Sequence, residues 1–213
     1  GSLKDLVKIL IQMRKAKKHI KRLQENGYDI KNVIEIIQND NDTNTIVYTS
    51  PEFQPYSDTF SDKYVFVGPS IRPTNNVFEK TREKLVYISM GTVNNDMTIF
   101  YKNCIDAFKD SNYQVVLSVG SQVDIKQLEE YVTKSKSENK AQFHVLPYVD
   151  QIAVLEKADV FLTHCGMNSV SEALYFKVPL VMYPQTNEQK GVAFRVNELG
   201  AGMYLSGDSI SDI

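Results

Sequence analysis

The segment Thr163-His164-Cys165-Gly166-Met167-Asn168-Ser169-Val170-Ser171-Glu172 carries the residue types from which an anion site is built. It follows an apolar run over residues 159–163 and opens a helical pattern over residues 168–177. A strand, a glycine turn and a helix start aim backbone N–H groups at one spot, where the helix macrodipole is positive. Gly166 lets a phosphate approach the backbone closely. Ser169 and the amides around it can donate to phosphate oxygens. His164 can donate from a ring nitrogen and, when protonated, adds charge. Glu172 lies one turn on from Asn168, on the same helix face, where a carboxylate can accept from a vicinal diol such as a ribose. Thr92, after Gly91, offers a hydroxyl and an amide from a second strand end, and Tyr148 can stack on a base. A further cluster, Pro184-Gln185-Thr186-Asn187-Glu188-Gln189, follows the next strand, and Glu188 and Gln189 can accept from hexose hydroxyls. Together these residues describe a grip on a diphosphate joined to sugars.

Each member also has a plain reading. Ser169-x-x-Glu172 is the pattern of a capping box. His164 alone is a satisfied polar residue, Tyr148 core or rim, and Thr92 a turn residue. The functional argument rests on the set.

The elements that must position the set alternate. Strands are expected over residues 45–48, 64–67, 85–88, 114–118, 142–146, 159–163, 179–183 and 202–205. Helices are expected over 97–109, 124–134, 151–157, 168–177 and 189–199. From residue 84 on, near-continuous apolar strands alternating with helices imply α/β architecture: a buried parallel sheet with helices on both faces. Ligands bind such sheets at the carboxyl ends of the strands, near the switch in strand order. The loops 89–92, 120–122, 147–151, 164–169 and 184–189 all lie at those ends. Before residue 71 the chain reads differently. Leu3, Leu6, Val7, Leu10, Ile11 and Met13 make a helical stripe, Gly27 ends that helix, and residues 33–37 begin another. Arg14, Lys15, Lys17, Lys18, Lys21 and Arg22 suit an anionic membrane surface, but a solvated helix face explains them more simply. Residues 1–70 are therefore expected as one region, 71–83 as a polar linker, and 84–213 as the sheet domain.

Composition excludes several classes. The 213 residues carry a net charge of −2, which gives no broad electrostatic reason to expect nucleic acid. No run is long and apolar enough to span a bilayer, no secretory leader is visible, and Gly1-Ser2 reads as a cloning scar. Cys104 and Cys165 match no zinc spacing and suit a reduced, cytoplasmic setting. Cys165 reads as a small buried spacer, because adjacent strand residues point to opposite faces and His164 is a poor base for it. The loop at 89–92 is not a Walker loop, no G-x-G-x-x-G follows residues 85–88, and no G-x-S-x-G or metal-ligand spacing occurs. A metal-free diphosphate site remains, with the helix N-terminus and His164 as its positive pole.

Over roughly residues 45–205 the chain resembles the UDP-dependent glycosyltransferases of the two-domain GT-B fold, especially the bacterial macrolide and antibiotic glycosyltransferases. The resemblance is carried by Tyr148-Val149-Asp150-Gln151, His164-Cys-Gly-Met-Asn-Ser169, Glu172, Val178-Pro179 and Pro184 through Gln189. Ser89-Met-Gly-Thr92 is similar to the family's phosphate loop, and residues 49–55 and 66–69 to the end of its acceptor-side N-terminal domain. The resemblance implies a Rossmann-like donor domain truncated at its C-terminus, preceded by a mostly helical piece of the N-terminal domain. It assigns Gly91, Thr92, Tyr148, Val149, Gln151, His164, Gly166, Asn168, Ser169 and Glu172 to UDP, with Tyr148 stacking on uracil. It assigns Glu188 and Gln189 to the donor sugar. Asp150 stands where the family usually has Pro, which is expected to loosen that loop. Glu188 stands where Asp is more common.

The implied reaction is an inverting hexose transfer, by default from UDP-glucose, to a hydroxyl of a small acceptor. UDP suits Glu172 better than dTDP. No cofactor or metal is implied; the partners are UDP or a UDP-sugar and an acceptor bound by the other domain. The family's base is a His early in the N-terminal domain, absent from this chain, so no catalytic residue is assigned and the chain alone is expected to be inactive. His19 is not a replacement. Exposed apolar surface over 3–70 would favour self-association. A natural half-enzyme with a partner chain, a UDP-N-acetylglucosamine epimerase-like enzyme, and a non-catalytic UDP-binding module stay open as alternatives.

Overall fold

The computed structural model describes residues 15–32, 35, 44–91, 97–135 and 141–205. Thr92, the stripe over 3–13 and most of the helix expected at 33–37 lie outside the described residues. The chain divides into two compact units, one of Gly1–Ile46 with Thr59–Val65, the other of Val47–Asp58 with Phe66–Ile213.

In the first unit residues 15–25 are helical. Lys15, Lys17, Lys18, Lys21 and Arg22 are exposed, while Ala16, Ile20 and Leu23 form a half-buried stripe at helical spacing. Gly27 turns the chain at φ 87°, a left-handed conformation that glycine adopts without a side-chain clash. Short strands β1 (Thr45–Val47) and β2 (Tyr64–Phe66) pair with each other.

The second unit is built on six parallel strands: β3 (Leu85–Ser89), β4 (Gln114–Ser118), β5 (Gln142–Leu146), β6 (Val160–Thr163), β7 (Leu180–Met182) and β8 (Gly202–Tyr204). Their order is β5-β4-β3-β6-β7-β8. The helices between them are α1 (Thr98–Phe108), α2 (Ile125–Ser135), α3 (Gln151–Leu155), α4 (Met167–Tyr175) and α5 (Asn187–Glu198). Every residue of β3 and β4 is buried, which is why these strands read as unbroken apolar runs. Alternate residues serve opposite faces. Leu85 and Tyr87 join Val116, Phe161 and the inner sides of α3, α4 and α5. Val86 and Ile88 join Val115, Leu117, Leu162 and residues of α1 and α2. Burying each large side chain in these two cores contributes about 2 kcal/mol. The expected parallel sheet with helices on both faces is therefore the observed one.

The expected linker over residues 71–83 holds neither helix nor strand, yet it is fastened to the sheet along its length. Near its start, Thr74 and Asn76 donate to Asp150, which follows β5 at its carboxyl end. Phe78 meets His144, in the middle of β5, edge to face. Near its end the Thr81 amide donates to Gln114 Oε1 and its hydroxyl to Gln142 Oε1, the first residues of β4 and β5. Gln114 in turn donates to the Glu79 carbonyl. The segment is a strap running from the carboxyl to the amino ends of the strands. The chain before it is also gripped: Arg195 of α5 donates to the carbonyls of Glu52 and Phe53, and Phe53 is buried in the core. These bonds explain why residues 47–58 and 66–83 are compact with the sheet, rather than the units parting at 71–83.

Asp159 anchors the strap at the amino end. Its Oδ2 accepts from Lys80 Nζ at 2.6 Å and from the Leu85 amide at 2.7 Å, and Lys84 lies 3.6 Å from Oδ1. Burial opposes its charge, but the Lys80 and Leu85 hydrogen bonds and the two ammonium groups prevail and hold the carboxyl below its usual range. Its stabilisation is present above the ordinary value of 3.8 and is lost as pH falls through the lower folded value. Asp159→Ala is expected to cost about 2 kcal/mol in urea unfolding at pH 7. Asp159→Asn should cost less, since it keeps an acceptor for the Leu85 amide. Equal stability of Asp159→Ala and wild type at pH 7 would refute the anchor.

Candidate functional site

The strand order places the site. The chain runs outward from β3 through β4 to β5, then returns through α3 to lay β6 on the other side of β3. Ser89 and Thr163, the last residues of β3 and β6, are paired in register. The loops beyond them must part, one toward α1 and the other toward α4. The crevice between parting loops is where such sheets bind ligands.

Beyond β6 the turn is sharp. Cys165 takes φ 66°, and its amide donates back to Thr163 Oγ1 at 3.2 Å. Gly166 caps α4 with extended dihedrals and no side-chain hydrogen bond, so the amides of Met167, Asn168 and Ser169 lack side-chain acceptors. Gly166, Met167, Asn168 and Ser169 line a cleft of about 730 Å³, which puts the uncapped helix start at its wall. That volume suits a cofactor-sized ligand.

The His164 ring is held between two glycines. A Cβ on Gly91 would lie 2.7 Å from Cε1, and one on Gly166 would lie 2.8 Å from Nε2. Neither glycine can gain a side chain while the ring stays. Nδ1 is buried and meets no hydrogen-bond partner. Burial lowers the imidazole's pKa below 6.5; the Ser89 main chain and the Glu188 charge pull the other way without overcoming it. The ring is therefore neutral at neutral pH. This corrects the expectation that His164 adds positive charge; it offers a hydrogen bond, and the helix start supplies the positive potential.

The capping-box reading of Ser169 and Glu172 also fails. Gly166 occupies the cap position, so Ser169 falls inside the first turn. Both side chains turn to Gln151 of α3 instead. Its Nε2 lies 3.2 Å from Ser169 Oγ and 2.5 Å from Glu172 Oε2. Its Oε1 accepts from the Tyr87 hydroxyl at 3.1 Å. Tyr87 is buried and stacks on Phe161, and burial pushes its phenol far up. A core tyrosine thus orients a glutamine, which holds Glu172 in the cleft. The capping box lies at α5: Thr186 Oγ1 accepts from the Gln189 amide, and Gln189 Oε1 accepts from the Gln185 and Thr186 amides. This explains why α5 starts at Asn187 rather than 189. It leaves Gln189 only its Nε2 for a ligand, so it donates there rather than accepts.

The cleft gathers the expected residues from four strand ends. Gly91 comes from beyond β3, Tyr148 and Val149 from between β5 and α3, and Gln151 from the first position of α3. His164, Gly166, Asn168, Ser169 and Glu172 follow β6, and Glu188 and Gln189 follow β7. Asp150 lines no part of it and does not loosen its loop. Its carboxylate takes Thr74 Oγ1 at 2.6 Å and Asn76 Nδ2 at 2.7 Å, and those bonds hold its pKa below the usual range. Sequence reasoning missed Arg72, Tyr87 and Ser118, which also line the cleft, and placed Ser89 there only as part of the loop 89–92. A signal existed for the serines. Strands β4, β3 and β6 each end an apolar run on a hydroxyl, and register aligns Ser118, Ser89 and Thr163 in one row. Behind that row the Tyr101 hydroxyl ties the Met90 amide to the Ser118 carbonyl. Cys165 is fully buried and its thiol is pushed up to about 12, as suits a spacer.

The family model described as glycosyltransferase family 28 C-terminal domain matches residues 81–212. The uncharacterized UDP-glucosyltransferase YdhE of Bacillus subtilis (strain 168) is 43% identical over 190 residues, which cover 87% of this chain and 46% of that one. The NDP-glycosyltransferase YjiC of the same organism is 42% identical over 170 residues, covering 78% and 41%. Among solved structures, the calicheamicin glycosyltransferase CalG4 matches with a TM-score of 0.70 at 28% identity, covering 92% of this chain and 49% of that one. The chain spans about half the length of the curated relatives it matches.

Two results are expected of the imidazole. By NMR, His164 should titrate with a midpoint below 6.5. Its contribution to stability is present above that ordinary value and lost as pH falls through the lower folded one. Gly166→Ala should displace the ring and shift its resonances, whereas Gly191→Ala, which meets nothing within 4 Å, should leave them in place. An unmoved ring in Gly166→Ala would refute the glycine cradle.

Proposed function

The chain belongs to the glycosyltransferase family whose C-terminal domain residues 81–212 match, and from that premise we propose that it is the UDP-sugar-binding half of a GT-B glycosyltransferase. The observation that carries this reading is the uncapped start of α4 on the cleft wall, with Glu172 one turn further and held by Gln151. The amides of α4, Ser169 and Asn168 hold the diphosphate, and His164 donates a hydrogen bond to it. Glu172 accepts from the ribose diol, and Tyr148, Val149 and Gln151 form the base end. Glu188 and Gln189 meet the donor sugar, glucose by likeness to the UDP-glucosyltransferases. No metal takes part; the helix start does the electrostatic work.

In the reaction, an acceptor hydroxyl oxygen attacks the anomeric carbon in line, its proton passes to a base, and the bond from that carbon to UDP breaks with inversion. The bonding electrons leave with UDP, so negative charge grows on the diphosphate in the transition state. Amides fixed at the start of α4 stabilise that charge without reorganising. The proposal gives this half donor binding and departure of UDP, and assigns acceptor binding and the base to the rest of the relatives' length. The chain alone then binds donor without transferring sugar. Two free, buried cysteines fit a reducing, cytoplasmic setting. No helix among the described residues is long and apolar enough to cross a membrane.

Calorimetry tests the site. UDP is expected to bind more tightly than 2′-deoxy-UDP by about tenfold, the worth of a hydrogen bond to a charged group. Glu172→Ala should erase that difference, weakening UDP through both hydroxyls and 2′-deoxy-UDP, by less, through the 3′-hydroxyl it keeps. No binding of UDP at millimolar concentration would sink the proposal.

A further inference from the structure

Glu172 and Glu188, two carboxylates, line the cleft beside a neutral imidazole. Among the described lining residues the only cationic side chain is Arg72. It comes from the strap, far from every motif of the site in sequence. Its Nη2 lies 3.5 Å from Asp150 Oδ1. The other Asp150 oxygen takes Thr74 and Asn76, and the Asn76 amide bonds Thr74 Oγ1 at 3.0 Å, so Asp150 draws residues 72–76 onto the start of α3. The Arg72 side chain is 68% exposed, so most of its five N–H donors stay available. Asp150 directly follows Tyr148 and Val149 in the chain and caps α3. The guanidinium is therefore tethered at the Tyr148 end of the cleft.

We infer that Arg72 reads the carbonyl edge of the nucleobase and selects uracil over cytosine, with Asp150 as its positioning residue. The inference rests on the nucleotide reading above. Tyr148, 57% exposed, offers a ring face on which any base can stack, so stacking alone does not discriminate. A guanidinium only donates. Uracil presents a carbonyl oxygen at position 4, which accepts; cytosine presents an amino group there, which donates. Two donors facing each other leave both unpaired, and that mismatch is the source of selectivity. The Thr74 and Asn76 hydrogen bonds keep Asp150 ionised at neutral pH, so Arg72 keeps its partner.

The test is calorimetry with UDP, CDP and uridine on wild type, Arg72→Ala, Arg72→Lys and Asp150→Ala, with circular dichroism confirming the fold of each. Wild type should prefer UDP over CDP by about tenfold. Arg72→Ala should remove most of that preference and weaken uridine by the same factor as UDP. Arg72→Lys, which keeps the charge but loses the planar fork, should fall between. Asp150→Ala should shrink the UDP-to-CDP ratio, which a purely structural role would not do. An unchanged ratio in Arg72→Ala overturns the inference. Loss of UDP affinity with uridine unaffected also overturns it, since Arg72 would then serve the phosphates. A wild type that binds neither nucleotide overturns the nucleotide reading and this inference with it, whereas binding with an unchanged ratio overturns the inference alone.

Discussion

The pairing of β6 with β3 is the constraint on which the cleft depends. Register puts Thr163 beside Ser89, so the next residues of both strands compete for the same space. The His164 ring occupies that space, and it fits because Gly91 and Gly166 carry no side chains. The same turn forces Cys165 into the left-handed region at a cost of about 1 kcal/mol. Core packing on both sides of the sheet offsets that cost. Loosening the sheet would release the ring, the turn and the start of α4 together.

Electrostatically, the cleft works with little formal positive charge. Its imidazole is neutral and its two carboxylates are negative, yet the bound group under the proposed function is an anion. Partial charges of fixed amides at a helix start compensate for this, because they need no desolvation of a full cation. A neutral ring that donates one hydrogen bond fits such a site better than an imidazolium, which the Glu188 carboxylate would also attract.

Much of this was legible in the sequence. Continuous apolar runs in β3 and β4, buried at every position, announce a parallel sheet because water reaches neither face. From residue 44 on, the ends of described elements fell within two residues of those read from the sequence, and α5 starts two residues early because Thr186 caps it. The contacts with low sequence signal are long-range. Nothing in residues 72–81 says that they will run along β5, since Thr, Asn, Gln and Asp have no periodicity when they bond across the fold. Gln151 was readable as a pocket residue, but its hold on Glu172 required the packing of α3 against α4. The charge state of His164 was misread for a related reason: residue type gives an intrinsic pKa, while burial depends on tertiary structure.

The burial of both thiols has a consequence of another kind. Cys165 neighbours His164 in the chain but faces the core, and burial pushes its thiol, like that of Cys104, to about 12. Thiolate is the form that peroxides and electrophiles attack, and it is essentially missing at neutral pH. Neither thiol is therefore a ready target of oxidation, although Cys165 sits in the turn beside the cleft. A thiol introduced elsewhere on the surface would react against a silent background of native thiols.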